Sequence, residues 1–190
     1  MTLIARDGEY VVIHLDPDEC LVLSGFVTNV AELLAPPPAD ALADPAAPVD
    51  PLEELVGIGD ATTTTRPDDP ATARLLPDAY ANDDEAAAEF RRLTDAELRS
   101  EKLAALNVVL AGITDARDGA VRLTRDEAEI WLTGLNDVRL VLGVRLGITE
   151  ERDESDDAFD VRDPRSALLA AFDWLTAIQA TLIEEISSAD

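Results

Sequence analysis

Apolar residues recur along most of this chain with a helical period, and the densest run is Ile130–Gly147, IWLTGLNDVRLVLGVRLG. Counting 100° per residue from Trp131, Leu135, Val138, Leu142 and Leu146 lie within about 60° of it. Leu140, Val141 and Val144 lie elsewhere on the wheel, so this helix is apolar nearly all round and is expected to be packed by other helices on several sides. Thr124-Arg125-Asp126-Glu127 is a capping box that starts it, and Gly147 ends it.

The same reading orders the rest. A β-hairpin is expected over residues 3–15, with Leu3–Arg6 and Glu9–Leu15 flanking an Asp7-Gly8 turn. Val11, Ile13 and Leu15 face one side of it, and Tyr10, Val12 and His14 the other. Two strands alone are marginal in water, and the short β-like run Ala120–Leu123 after the Asp118-Gly119 turn is the candidate third strand. A helix follows from about Pro17 to Ala35, capped by Asp16 and Glu19, with Val22, Leu23, Phe26, Val27, Val30, Leu33 and Leu34 at three- and four-residue spacing. A further helix is expected from Asp83 to Leu93. The capping box Thr94-Asp95-Ala96-Glu97 opens another to Ile113, marked by Leu98, Leu103, Leu106, Val109, Leu110 and Ile113. Asp163-Pro164 introduces the last helix, to about Ile186, with the stripe Leu168, Phe172, Leu175, Ile178 and Leu182. The expected fold is therefore mainly α, a bundle of about five helices with a small N-terminal β-hairpin joined by a third short strand, in a single domain spanning 1–190.

Two stretches break the pattern. Residues 36–72 hold eight of the eleven prolines and the threonine run at 62–65, which predicts a mobile insert. Within it, Asp50 as cap, Pro51 and Gly57 describe a short helix over 51–57, with Leu52, Leu55, Val56 and Ile58 turned to the core. Residues 149–163 form an acidic loop, with eight acids against Arg152 and Arg162.

Charge narrows the function classes. Forty acids face fifteen bases, fourteen of them Arg and one Lys102, for a net charge of −25. That balance opposes direct binding to nucleic acid or anionic lipid, which depends on basic side chains meeting phosphates. It fits solubility, the acidic proteome of a salt-adapted organism, or an electrostatic mark for a basic partner. One cysteine, Cys20, excludes a disulfide within the sequence and a cysteine-based zinc site, and it is expected as a small buried residue of a helix face. The start MTLIARDGEY lacks a basic segment followed by an apolar run, and no segment approaches the ~18 uncharged apolar residues of a membrane helix. A cytoplasmic location, with no membrane contact, is expected.

Catalytic inventory is thin. His14 is the single histidine, so paired-histidine metal sites fail, and a Ser-His-Asp site would need a strand histidine to meet one of six scattered serines. No phosphate loop occurs. The carboxylates at 153–160 do not match calcium-loop spacing. No metal and no cofactor are expected. The polar residues of the central run are the remaining candidates: Asn136, Asp137, Arg139 and Arg145, with Asp173 of the last helix. Arg139 falls about 80° from Trp131, inside the apolar arc, and Arg145 about 40° to the other side. An arginine there needs a carboxylate or carbonyls. Asp173, or an acid of the 78–97 segment, is the expected partner, in an internal ion pair or in a polar binding pocket. Trp131 and Trp174 read as core.

The segments LLPDAY (75–80), EAAAEFRRLT (85–94), LNDVRLVLGVRLGIT (135–149) and FDWLTAIQATL (172–182) together resemble the actinobacterial domain-of-unknown-function family numbered 2017. The hairpin, LDPDE (15–19) and DPLEELVGIG (50–59) are similar too. Where that family shows an aromatic-rich last helix, this chain has Phe172, Ala177 and Ala180. The resemblance implies no reaction. It implies genes beside the adaptor of the Clp protease and near sulfur-carrier and Mov34-type peptidase genes, with some members labelled transcriptional regulators. The leading expectation is a non-enzymatic cytoplasmic module that binds another protein, with a Clp protease component implied as the partner. A transcriptional regulator acting mainly through protein contacts is the second reading. An enzyme with a polar pocket around Asn136, Asp137, Arg139 and Asp173 is the third. Homo-oligomerisation stays open, because an apolar helix face reads the same against a core or a second copy.

Overall fold

The computed structural model describes residues 2–35, 65–80, 82–148, 163 and 165–188. The insert through residue 64, its helix at 51–57 and the acidic loop over 149–162 lie outside the described residues.

Strands β1 (Leu3–Asp7) and β2 (Tyr10–His14) pair antiparallel, with Asp7 opposite Tyr10. The two-residue loop is thus Gly8-Glu9, one position later than the Asp7-Gly8 turn expected. Gly8 has φ +64° and Glu9 does not share that sign, which places the glycine first in the loop, where a type II′ turn requires it. Strand β3 (Ala120–Leu123) adds antiparallel to β2, giving the order β1-β2-β3 with β2 central. The turn before β3 has Asp118 at φ 54° and Gly119 at φ 75°, and Arg117 and Ala120 exchange backbone hydrogen bonds across it. The Gly119 carbonyl accepts from the Leu15 N–H at 2.8 Å. A Cβ on Gly119 would sit 2.4 Å from the Leu15 carbonyl oxygen, so only glycine fits there. One face of the sheet, with Val11, Ile13, Val121 and Leu123, joins the core. His14 is exposed at the strand end.

Helix α1 (Pro17–Leu34) starts at the expected capping box: Asp16 Oδ1 accepts from the Glu19 N–H, and Glu19 Oε2 accepts from the Asp16 N–H, both at 2.9 Å. Helix α2 (Pro70–Leu75), capped by Asp69, overlaps the end of the stretch expected to be a mobile insert. Its Ala71 and Leu75, with Leu76, are buried in the core, and that burial orders a short proline-led turn which propensity alone would leave unformed.

Helix α3 (Asp84–Thr114) is one helix of 31 residues, not two. The expected second start at Thr94 fails because nothing upstream breaks the helix: EAAAEFRRL holds no glycine or proline. Thr94 Oγ1 instead donates back to the Phe90 carbonyl at 2.9 Å, as a mid-helix threonine does. Asp95 turns inward to Arg99 at 2.6 Å, and Arg99 also donates to the Leu34 carbonyl at the end of α1.

Helix α4 (Arg125–Leu146) has the Thr124–Glu127 capping box and the left-handed Gly147 expected of it. It is the hub, in contact with α1, α2, α3 and α5 (Arg165–Ser187). Trp131 is fully buried. Two glycines let α3 and α4 approach: a Cβ on Gly112 would lie 2.9 Å from Trp131 Cζ2, and one on Gly134 would lie 3.0 Å from Val109 Cγ2. Helix α5 buries Leu175, Ile178, Leu182 and Ile186. The expectation that no segment approaches membrane-spanning length and apolarity meets one exception. Among the described residues α5 is long and apolar enough by length and composition, and over residues 166–183 its single charge is Asp173. A core helix rich in Ala and Leu passes the same test. The observed class, a mainly α bundle with a small three-stranded antiparallel sheet, is the expected one.

Candidate functional site

The polar residues singled out on α4 do not converge. Asp137 is 1% exposed, and its Oδ1 accepts from Lys102 Nζ of α3 at 2.7 Å. Burial pushes the Asp137 carboxyl above its ordinary value, and the Lys102 ammonium offsets this only in part. Lys102–Asp137 is therefore an internal ion pair between α3 and α4. Lys102 went unrecognised, although Leu98, Lys102, Leu106 and Val109 follow helical spacing and put it in the buried stripe of α3.

Arg139, expected to hold that internal pair, is half-buried and lies over the Phe172 ring at 5.8 Å, with no carboxylate partner among the described residues. At a half-buried position the guanidinium over an aromatic face needs no buried carboxylate. Asp173, its expected partner, is exposed on α5. Asn136 is half-buried. Arg145 is exposed and pairs with Asp69 at 2.8 Å, tying the end of α4 to the cap of α2. Burial opposes ionisation of Asp69, but hydrogen bonds from the Thr72 backbone and hydroxyl and from Arg145 hold its carboxyl below the usual value.

Three buried polar atoms lack a hydrogen-bond partner among the described residues: Trp131 Nε1, Asp137 Oδ2 and Gln179 Oε1. They belong to separate contacts. Trp131 faces Gly112, Asp137 faces Lys102, and Gln179 Nε2 donates to the Leu132 carbonyl at 3.2 Å. Trp174 is half-buried, and its Nε1 donates to Thr2 Oγ1 at 2.7 Å. Thr2 in turn donates to Glu19 Oε1 at 2.8 Å, so the capping box of α1 is linked to α5 through the start of the chain.

A groove of about 450 Å³ runs between α1, α4 and the start of α5, lined by Leu21, Val22, Phe26, Val138, Leu142 and Arg145 among others. It takes only Arg145 from the five candidates, and it is an apolar trough with no acid–base pair. Among the described residues no group of three or more His, Cys, Asp or Glu is placed to hold a metal ion. Cys20 is half-buried rather than buried; burial, then the Asp16 and Glu19 carboxylates, push its thiol above the ordinary value. Burial first, and then the neighbouring capping-box carboxylates, disfavour the reactive thiolate.

The fold and these contacts define a small acidic helical bundle on a three-stranded sheet, with the buried carboxylates Asp95 and Asp137 held in ion pairs and apolar surface outside its core. The chain belongs to the family described as Domain of unknown function (DUF2017), whose model matches residues 1–186. It is 31% identical over 191 residues to the Oxidative stress regulator AosR of Mycobacterium tuberculosis (strain H37Rv), covering 94% of this chain and 83% of that one. The protein of the same name from Mycobacterium bovis matches to the same extent. The Putative oxidative stress regulator AosR of Mycobacterium leprae is 35% identical over 149 residues, covering 72% of this chain and 66% of that one. No solved structure matches.

Proposed function

We propose that this chain is a regulator of the oxidative-stress response that acts in the cytoplasm by contacting another protein. The observation that carries the reading is the similarity, over 94% of the chain, to proteins named oxidative stress regulators. The net charge of −25 favours protein contacts over direct contact with DNA phosphates. Deletion of the gene is expected to lower survival and blunt transcript induction after hydrogen peroxide, with rescue by the wild-type copy. Unchanged survival and transcripts overturn the reading. A gel-shift titration at low salt is expected to show no retardation; retardation would move the protein to direct transcriptional control, the second reading.

The sequence holds one cysteine, so sensing by a disulfide within it is excluded by count. With its thiolate disfavoured, Cys20→Ser is expected to rescue the deletion strain as well as wild type does, and failure of that rescue assigns the sensing to Cys20. A component of the Clp protease is the partner proposed from what the family resemblance implies about neighbouring genes. Recovery of a different protein on crosslinking in peroxide-treated cells would replace it.

A further inference from the structure

The first half of α3 differs from the rest of the bundle in what it leaves uncovered. At 1.5 Å per residue the 31-residue helix is about 46 Å long. After Ala87, its buried apolar residues all lie at Ala105 and beyond. On the outer face Glu89, Phe90, Leu93, Glu97 and Glu101 fall within about 60° of one line along the axis. Phe90 is 40% exposed and Leu93 64%. Tyr80, 51% exposed, meets Phe90 edge to face with centroids 6.1 Å apart. Single exposed apolar side chains are ordinary on a protein surface. Three large ones in contact or on successive turns, two of them aromatic, form the contiguous patch that marks a contact surface.

Near this ridge Arg66 and Arg91 pair with Asp78 and Arg92 pairs with Glu89, so the charge left over is acidic. Glu89, Glu97 and Glu101 border it, beyond the first helical turn where the dipole alone would favour acids. Arg91 turns away to Asp78, and Arg92 is held by Glu89. A second copy would set glutamates against glutamates here, and nucleic acid would meet them with phosphates. Apolar cover with basic flanks is the complement that fits.

We propose that the Tyr80–Phe90–Leu93 ridge with Glu97 and Glu101 docks a basic, amphipathic segment of a partner protein. Apolar side chains of the partner cover the ridge, and its Lys or Arg side chains meet the glutamates. The inference rests on the reading of the chain as a protein-contacting regulator and names the surface and the partner chemistry.

Fluorescence anisotropy with a helical peptide built from Leu and Lys, and a matched one from Leu and Glu, tests the surface on the full chain. Binding of the Leu/Lys peptide is expected to weaken about tenfold or more in Phe90→Ser/Leu93→Ser. It should weaken several-fold in Glu97→Gln/Glu101→Gln, with a flatter salt dependence. The control Glu9→Gln/Asp126→Asn/Glu184→Gln removes three acids elsewhere and should stay within about twofold of wild type. Equal loss in that control, no loss in the ridge variants, or equal binding of the Leu/Glu peptide overturns the proposal. So does a wild-type dimer in sedimentation equilibrium that Phe90→Ser/Leu93→Ser dissociates, which would give the ridge to a second copy. A photo-crosslinker at Leu93 or at Leu21 in peroxide-treated cells separates this surface from the broader reading. Capture at Leu93 of a segment that is basic and apolar supports the ridge. Capture at Leu21 alone leaves the regulator reading standing and removes the ridge, and capture at neither removes both.

Discussion

Lys102 and Asp137 meet at 2.7 Å across the α3–α4 contact, with the carboxylate sealed from solvent. Removing the cation leaves a buried charge without compensation, so Lys102→Met is expected to lower stability at neutral pH by about 3–5 kcal/mol in denaturant titration. The pH dependence has a definite sign. Burial raises the folded-state pKa of Asp137 above its unfolded value. The folded state therefore holds this proton more tightly, and the contribution is most favourable below the unfolded pKa and fades as pH rises through the folded one. The loss in Lys102→Met should accordingly shrink in acid, and a loss that grows in acid would contradict the assignment. Arg139→Met is expected to cost no more than about 1 kcal/mol, the size of one cation–π contact. A cost of about 3 kcal/mol would mean a buried ionic partner after all. These two positions show how far side-chain roles were legible. The wheel placed Arg139 in an apolar arc, but pairing depends on which helix faces which, and no single-helix pattern contains that.

Helix starts were legible where local chemistry agrees with an upstream break. The boxes at Asp16–Glu19 and Thr124–Glu127 formed because a strand ends just before each, and Pro17 opens the first turn of α1. The box at Thr94–Glu97 did not form, because the residues before it are strong helix formers and continuing the helix keeps every backbone bond. The Asp118-Gly119 turn was legible for a steric reason, since both residues take positive φ and Gly119 lies against Leu15. Gly119→Ala combines backbone strain with a 2.4 Å clash. It should therefore destabilise more than Gly112→Ala, where overpacking against Trp131 costs about 1–3 kcal/mol. Thermal unfolding of the two variants tests that order. Fluorescence of Trp131 should report a changed environment for Gly112→Ala alone.

At the scale of the whole molecule, forty acids and fifteen bases repel one another on balance. At low ionic strength the screening length reaches about 30 Å, comparable to the protein itself, and at ~0.15 M it falls to about 8 Å. Added sodium chloride is therefore expected to raise the unfolding temperature by about 2–4 °C for each kcal/mol of relieved repulsion. A flat or falling salt profile would show that ion pairs outweigh repulsion. The sequence by itself determined the class of fold, the hub helix with both its ends, the third strand and the single histidine and cysteine, because periodicity, caps and inventory are local or countable. Tertiary structure alone decided that Lys102 rather than Arg139 pairs with a buried carboxylate, and that Asp173 faces solvent. Each of these turns on the distance between elements far apart in the chain, and a helical wheel carries angle but not neighbour.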